Sequence, residues 1–219
     1  MDTIKPLIEK TKEASRVLSS LDITVINAVL HDMADALIEH QDIILNLNKQ
    51  DVKNGNAMLL SPMAMDRLNM NIDRINSLTN SIRSLANSKG RYELKNDYRE
   101  LIPIASTIAI IYESRPYLTA EAACIMFKSG NASILRGGKE AFHTNTAIAS
   151  ILCDVLEQNG LPRELVTLIP TTDRVSMTEL ISLNSLVNYV VPHGSEGLVH
   201  YIYKNSLVPV ISQFPGFNS

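Results

Sequence analysis

The chain has 219 residues, of which 45% are hydrophobic and 20% charged, and its formal net charge is −3. That is the composition of a folded domain with a sizeable core. It excludes a broad basic surface for nucleic acid, and 5% aromatics with no tryptophan exclude a row of base-stacking platforms.

Two cysteines are too few for a disulfide framework and point to a reducing compartment. The N-terminus, Met1-Asp2-Thr3-Ile4-Lys5-Pro6, lacks a basic region followed by an apolar stretch and reads as no signal peptide. The longest apolar runs, such as 108–112, fall far short of the roughly 20 residues that span a bilayer. The expectation is a cytoplasmic protein with no membrane and no nucleic-acid partner.

Residues 6–88 carry helical periodicity. Val25, Ile26, Val29, Leu30, Met33, Leu37 and Ile38 recur at three- and four-residue steps within 21–45. Asp51 and Asn54-Gly55-Asn56 break the pattern, so 46–56 reads as a helix end and turn. Ser61-Pro62 starts another helix, 72–86 is again amphipathic, and Ser88-Lys89-Gly90 ends it. A charged segment, 91–101, suits an exposed ribbon or linker.

Beyond Pro103 short β-rich runs alternate with helices. Strands are expected at 104–112, 131–135, 165–169, 186–191 and 207–211, with helices at 119–128, 139–158, 174–182 and 195–204. This alternation is the signature of right-handed βαβ units and a parallel sheet, so the fold class is α/β. The division is a helical lead-in 1–90, a linker 91–102 and a βαβ sheet 103–211. Ligands of such sheets sit beyond the carboxyl ends of the strands, which selects loops 113–117, 136–140, 170–173 and 192–197.

In the second loop, Arg136-Gly137-Gly138-Lys139-Glu140 follows a strand and opens a helix, so free backbone N–H groups could meet an anion there. It is not a P-loop: Ser133 stands where the first glycine belongs, and Lys139 is followed by Glu140. A plain glycine turn is the competing reading. In the fourth loop, Gly194 allows close backbone approach and Ser195 can cap the following helix, where a pyrophosphate could rest. Beside them are Pro192 and His193, the latter either a supporting contact or simply an exposed loop residue. In the first loop, Glu113-Ser114-Arg115 holds a charged pair placed for substrate or cofactor, or forms a salt-bridged surface turn.

No metal site is expected, because the histidines form no HExxH and no Cys/His set has zinc spacing. Cys124 and Cys153 lie among apolar helical neighbours and read as buried, unactivated thiols.

The runs Ile110-Ile-Tyr-Glu-Ser-Arg-Pro116 and Lys128-Ser-Gly-Asn-Ala-Ser-Ile-Leu-Arg-Gly-Gly-Lys-Glu140, followed by Thr144-Asn145, closely resemble γ-glutamyl phosphate reductase of the aldehyde dehydrogenase superfamily. Gln50-Asp51, Asp66-Arg67-Leu68, Asn159-Gly-Leu-Pro162 and Pro192-His-Gly-Ser-Glu-Gly-Leu198 extend the resemblance along the chain. It implies NADPH-dependent reduction of L-glutamyl 5-phosphate to the 5-semialdehyde through a cysteine thioester, a step of proline biosynthesis. It implies that this segment is the NADP(H)-binding domain.

Under that resemblance Arg136 and Lys139 face the adenosine ribose and its 2′-phosphate, and Pro192, His193, Gly194 and Ser195 lie under the pyrophosphate. Gly137 and Gly138 belong to the same cofactor loop. Ser129, Gly130 and Asn131 hold the turn before the second strand, and Glu113, Ser114 and Arg115 sit near the nicotinamide or substrate. The charged ribbon joins subunits in this superfamily, which implies a homo-oligomer.

The sequence also departs from the family. No catalytic residue is expected on this chain, since neither cysteine aligns with the family nucleophile. Residues 212–219 read as the start of a catalytic domain, which a separate chain would have to supply. Tyr117 replaces the family's asparagine after Arg-Pro, and Ser106 and Ala109 replace first-strand glycines, changes that could obstruct the cofactor. The alternative is a catalytically dead, shortened paralogue serving as a nucleotide-binding or interaction subunit.

Overall fold

A computed structural model describes residues 3–93 and 101–211. The lead-in forms α1 (Lys5–Ser15), α2 (Ile23–Glu39), α3 (Gln41–Ala57), α4 (Pro62–Leu68) and α5 (Ile72–Asn87). Side chains of Asp22, Ser61 and Asn71 accept the first free N–H groups of α2, α4 and α5. The apolar face expected across 21–45 is divided at His40 into two helices, and α2 buries Ile26, Val29, Leu30, Met33 and Leu37 while Val25 stays exposed.

Residues 46–56 are not a turn, because α3 runs on to Ala57. Gly55 is there for contact: a Cβ would stand 2.9 Å from Leu68 Cδ2 and from Met65 Sδ, so α4 packs directly on α3 backbone. Residues 94–100, most of the expected ribbon, and 212–219, the expected start of another domain, lie outside the described residues.

The second half is an all-parallel sheet of β1 (Thr107–Tyr112), β2 (Ala132–Arg136), β3 (Val166–Leu168) and β4 (Tyr189–His193), in the order β3-β2-β1-β4. Between the strands run α6 (Tyr117–Ser129), α7 (Phe142–Gln158) and α8 (Arg174–Leu180), and α9 (Glu196–Asn205) follows β4. Every residue of β1 and β2 is buried, as a parallel sheet covered on both faces requires. Ile108, Ile110, Tyr112 and Leu135 pack with α2, α5, α6 and α7, while Ala109, Ile111 and Ile134 pack with Ile4, Ile8, Met177 and Ile202 of the opposite layer.

Strand edges differ from expectation for local reasons. β1 begins at Thr107 because Ala105, at φ 60°, makes a left-handed turn before it. β4 extends through Pro192 to His193, which is tolerated at an edge that needs no N–H from residue 192. The strand expected at 207–211 is reduced to one bridge, Val190 to Val210, held by Val190 N–H to Pro209 O and Ile211 N–H to Val190 O, each 2.9 Å. Pro209 has no N–H, and that of Leu207 is taken by Ile181 O, so no ladder builds.

The turn before β2 is built as the resemblance implies. Gly130 takes φ 81° at the end of α6, Asn131 accepts from Ser106 N–H at 2.9 Å, and Asn131 donates to Ser129 Oγ at 2.9 Å. Lys128, fully buried, donates to Asn27 Oδ1 (2.6 Å), Ser88 O (3.0 Å) and Ala86 O (3.2 Å), and so closes the carboxyl end of α5. No helix among the described residues is long and apolar enough to cross a membrane.

Candidate functional site

The chain passes from β1 to β2 to β3 in one direction and then returns to place β4 on the far side of β1. The crevice beyond the carboxyl ends of β1 and β4 is therefore the topological switch point, where ligands of open α/β sheets bind. Tyr112 and His193 end these strands side by side.

Side chains tie the loops after the strands together. Glu113 crosses the crevice and its Oε2 accepts from Ser195 N–H at 2.9 Å. Arg115, only 8% exposed, donates from Nη1 to His193 Nε2 at 2.6 Å. Glu140 Oε1 accepts from Ser114 N–H at 2.6 Å and from its hydroxyl at 2.9 Å. Arg136 Nη2 reaches past the end of β2 to Thr172 O (2.7 Å) and Asp173 O (3.0 Å).

Two expectations are corrected here. Glu113 and Arg115 do not form a salt-bridged turn; each bonds across the crevice to the β4 loop. His193 is not a free loop residue, since it ends β4 and receives Arg115. Ser114 sits at φ 48°, an unfavourable region for a serine, and the double contact with Glu140 holds it there.

The glycine loop also differs from its expected form. Lys139–Ala141 is a single 3-10 turn, and α7 starts only at Phe142. Its first N–H groups are not free for an anion: Asp51, buried in α3, accepts from Thr144 N–H (2.7 Å), His143 N–H (3.2 Å) and the Thr144 hydroxyl (2.6 Å). Asn48, one turn earlier, donates to Thr144 Oγ1 (3.1 Å) and Leu68 O (2.9 Å) and accepts from Met70 N–H (2.8 Å). Asn145 serves the next layer, accepting from Thr119 Oγ1 at 3.0 Å, and that hydroxyl in turn meets Tyr112 OH at 2.7 Å.

Gly137 lies against this layer, where a Cβ would fall 2.1 Å from Asn145 Nδ2 and 3.3 Å from Tyr112 Cε2. Gly137→Ala should therefore lower stability by about 1–3 kcal/mol in urea unfolding, the usual cost of overpacking. An unchanged midpoint would contradict this packing.

Anion-binding capacity is concentrated at the crevice. Ser195 caps α9, its Oγ accepting from Leu198 N–H at 3.4 Å, and its own N–H already holds a carboxylate oxygen. A Cβ on Gly194 would fall 2.7 Å from Glu113 Oε2, and one on Gly138 would fall 2.1 Å from Glu140 Oε1. At both glycines the space a side chain would fill is thus taken by an anionic group of the chain itself. Arg136 Nε is buried with no hydrogen-bond partner, a donor left over for a ligand, and Lys139 is exposed beside it. Burial lowers the Arg136 pKa, while Glu140, Asp173 and Glu113 oppose that shift. This donor set fits an anionic nucleotide.

Beside the crevice, between α4, α5 and the first turn of α6, lies a cavity of about 430 Å³ lined by Arg67, Arg74, Ser81, Arg115, Tyr117 and Glu121 among others. Sequence reasoning reached Arg115 and Tyr117 but missed Glu121, and it used Arg67 only as part of a family motif. Only the fold brings residues so far apart in sequence to one wall. Tyr117 opens α6 at this cavity, whereas Ser106 lies just before β1 and Ala109 within it. Ser106 donates to Pro103 O, and Ala109 packs in the core.

Burial, and after it the positive charges of Arg115 and Arg67, push the His193 pKa down to about 4. The thiols are inert. Burial and the Glu121 charge raise Cys124, and burial raises Cys153 to about 11 despite Arg163. Among the described residues no group of three or more His, Cys, Asp or Glu could hold a metal ion.

No protein-family model matches the chain. A γ-glutamyl phosphate reductase of Nautilia profundicola is 40% identical over 223 aligned residues, which include 97% of this chain and 54% of the relative. The crystal structure of γ-glutamyl phosphate reductase from Thermotoga maritima superposes with a TM-score of 0.87 at 30% identity, over 95% of this chain and 53% of that one. A probable aldehyde dehydrogenase from Listeria monocytogenes shares the fold at 16% identity and a TM-score of 0.72, over 97% of this chain and 46% of the other. The chain spans about half the length of the curated relatives it matches.

Proposed function

We propose that this chain, a homologue of the γ-glutamyl phosphate reductases over about half their length, is the NADP(H)-binding part of an enzyme reducing L-glutamyl 5-phosphate to L-glutamate 5-semialdehyde with release of phosphate. The observation that carries this reading is the junction of Glu113–Arg115, Arg136–Glu140 and Pro192–Ser195 at the switch point of a parallel sheet. When bound, the nucleotide supplies hydride to the acyl carbon. Ser195 N–H and the start of α9 take its pyrophosphate, the Glu113 carboxylate withdrawing from that N–H. Arg136 and Lys139 take the ribose and 2′-phosphate.

The nucleophile comes from outside these residues, because Cys124 and Cys153 are buried and hold their protons. Homo-oligomerisation through the charged ribbon and a catalytic domain outside these residues belong to the same proposal.

Titration with NADPH, followed by nucleotide fluorescence, tests it. Saturable binding is expected. Lys139→Met, at an exposed position with no packing role, should weaken NADPH up to about tenfold and NADH less, since only NADPH carries the extra phosphate. Absence of saturable binding up to about millimolar NADPH would overturn the reading, that concentration being the weak end of ordinary affinities.

A further inference from the structure

The cavity beside the crevice holds an unbalanced set of charges. Arg74 is committed within the fold: Nη2 pairs with Asp66 Oδ1 at 3.0 Å, and Nη1 donates to the carbonyls of Asn69 and Asp66. Arg67, Arg115 and Glu121 remain. Arg115 is nine-tenths buried, yet it forms no ion pair among the described residues, and its bond to His193 goes to a neutral acceptor. A buried guanidinium without a counter-ion is costly unless a ligand supplies one. Arg67 is exposed and also has no ion pair among the described residues. Glu121 feels Arg115 electrostatically without closing on it. Two guanidiniums and one carboxylate around one small cavity complement two anionic groups and one ammonium.

We propose that this cavity recognises an α-amino acid with an acidic side chain, Arg67 and Arg115 holding its two anionic ends and Glu121 its ammonium. The inference rests on the reading that the substrate is a glutamyl compound, and it assigns the residues that select it. The Arg115–His193 bond joins the cavity wall to the end of β4, so a ligand held there abuts the switch-point crevice. Ser77 and Ser81 on α5 offer further hydroxyls along the same wall.

Calorimetric titration of the chain with L-glutamate, glutarate, 4-aminobutyrate and inorganic phosphate tests this. L-Glutamate should bind best. Glutarate lacks the ammonium and 4-aminobutyrate lacks the α-carboxylate, and each should bind about tenfold more weakly for the loss of one charge-assisted contact. Arg67→Gln should weaken L-glutamate and glutarate alike. Glu121→Gln should weaken L-glutamate about tenfold and leave glutarate no weaker, a split that a merely structural role would not produce.

Equal binding of the three organic ligands would overturn the inference, as would phosphate displacing L-glutamate as well as glutarate does, since a bare anion site needs no Glu121. Failure of L-glutamate to bind a chain that still binds NADPH would overturn this inference alone. Failure of NADPH with L-glutamate binding intact would overturn only the nucleotide reading.

Discussion

Replacing Asp51 with alanine is expected to cost about 3–5 kcal/mol of folding stability, the range for leaving buried, charge-assisted hydrogen bonds half made. Asp51 is 1% exposed and accepts from the Thr144 and His143 N–H groups and the Thr144 hydroxyl. Alanine would leave the first turn of α7 with buried donors that neither water nor another side chain reaches. Asp51→Asn keeps one acceptor oxygen but turns an NH2 towards a donor, so it should lose roughly half as much. Urea midpoints of the variants against the wild type measure both. A shift under about 1 kcal/mol for the alanine variant would place the cap elsewhere.

The same residue marks where the sequence was and was not readable. The βαβ half was legible because short β-rich runs such as Ile108–Tyr112 and Ile134-Leu135 are buried on both faces and alternate with helices, a pattern few other folds impose. The end of α3 was misread because Asp51 and Asn54-Gly55-Asn56 have turn composition. Yet Ile44, Asn48, Asp51 and Gly55 fall at steps of four, three and four, which is one helix face. Polar residues on an apolar face announce a buried network, and that spacing was the available signal.

The loops that follow the strand ends were located from the alternation of elements, but the contacts made there were not legible. Which carboxylate fills which loop depends on rotamers across strands that are adjacent in space and distant in sequence, as Glu113 on Ser195 shows. The Arg67–Arg115–Glu121 cavity was out of reach for the same reason.

Acid should destabilise the protein partly through His193, and the direction follows from its environment. Its folded pKa is about 4, against an ordinary value of 6.5, because burial and then Arg115 and Arg67 oppose the imidazolium. Between those values the unfolded chain binds a proton that the folded chain refuses, so the stability present above about pH 6.5 is lost as pH falls towards about 4. Partial exposure of the ring discounts the loss to about 1–3 kcal/mol.

Glu121 acts in the opposite sense. Burial raises its carboxyl pKa against the pull of Arg115, so the folded chain binds the proton more readily there and acid relieves a penalty. A bare pH profile therefore mixes the two, and the informative quantity is a difference between proteins. Glutamine at position 193 offers Arg115 a neutral acceptor but cannot charge. His193→Gln should match the wild type within about 1 kcal/mol at pH 8 and exceed it by about 1–2 kcal/mol at pH 4.5, measured by urea midpoints. Parallel pH profiles of the two proteins would mean that His193 charges freely in the folded state, and that the Arg115 contact tolerates two cations side by side.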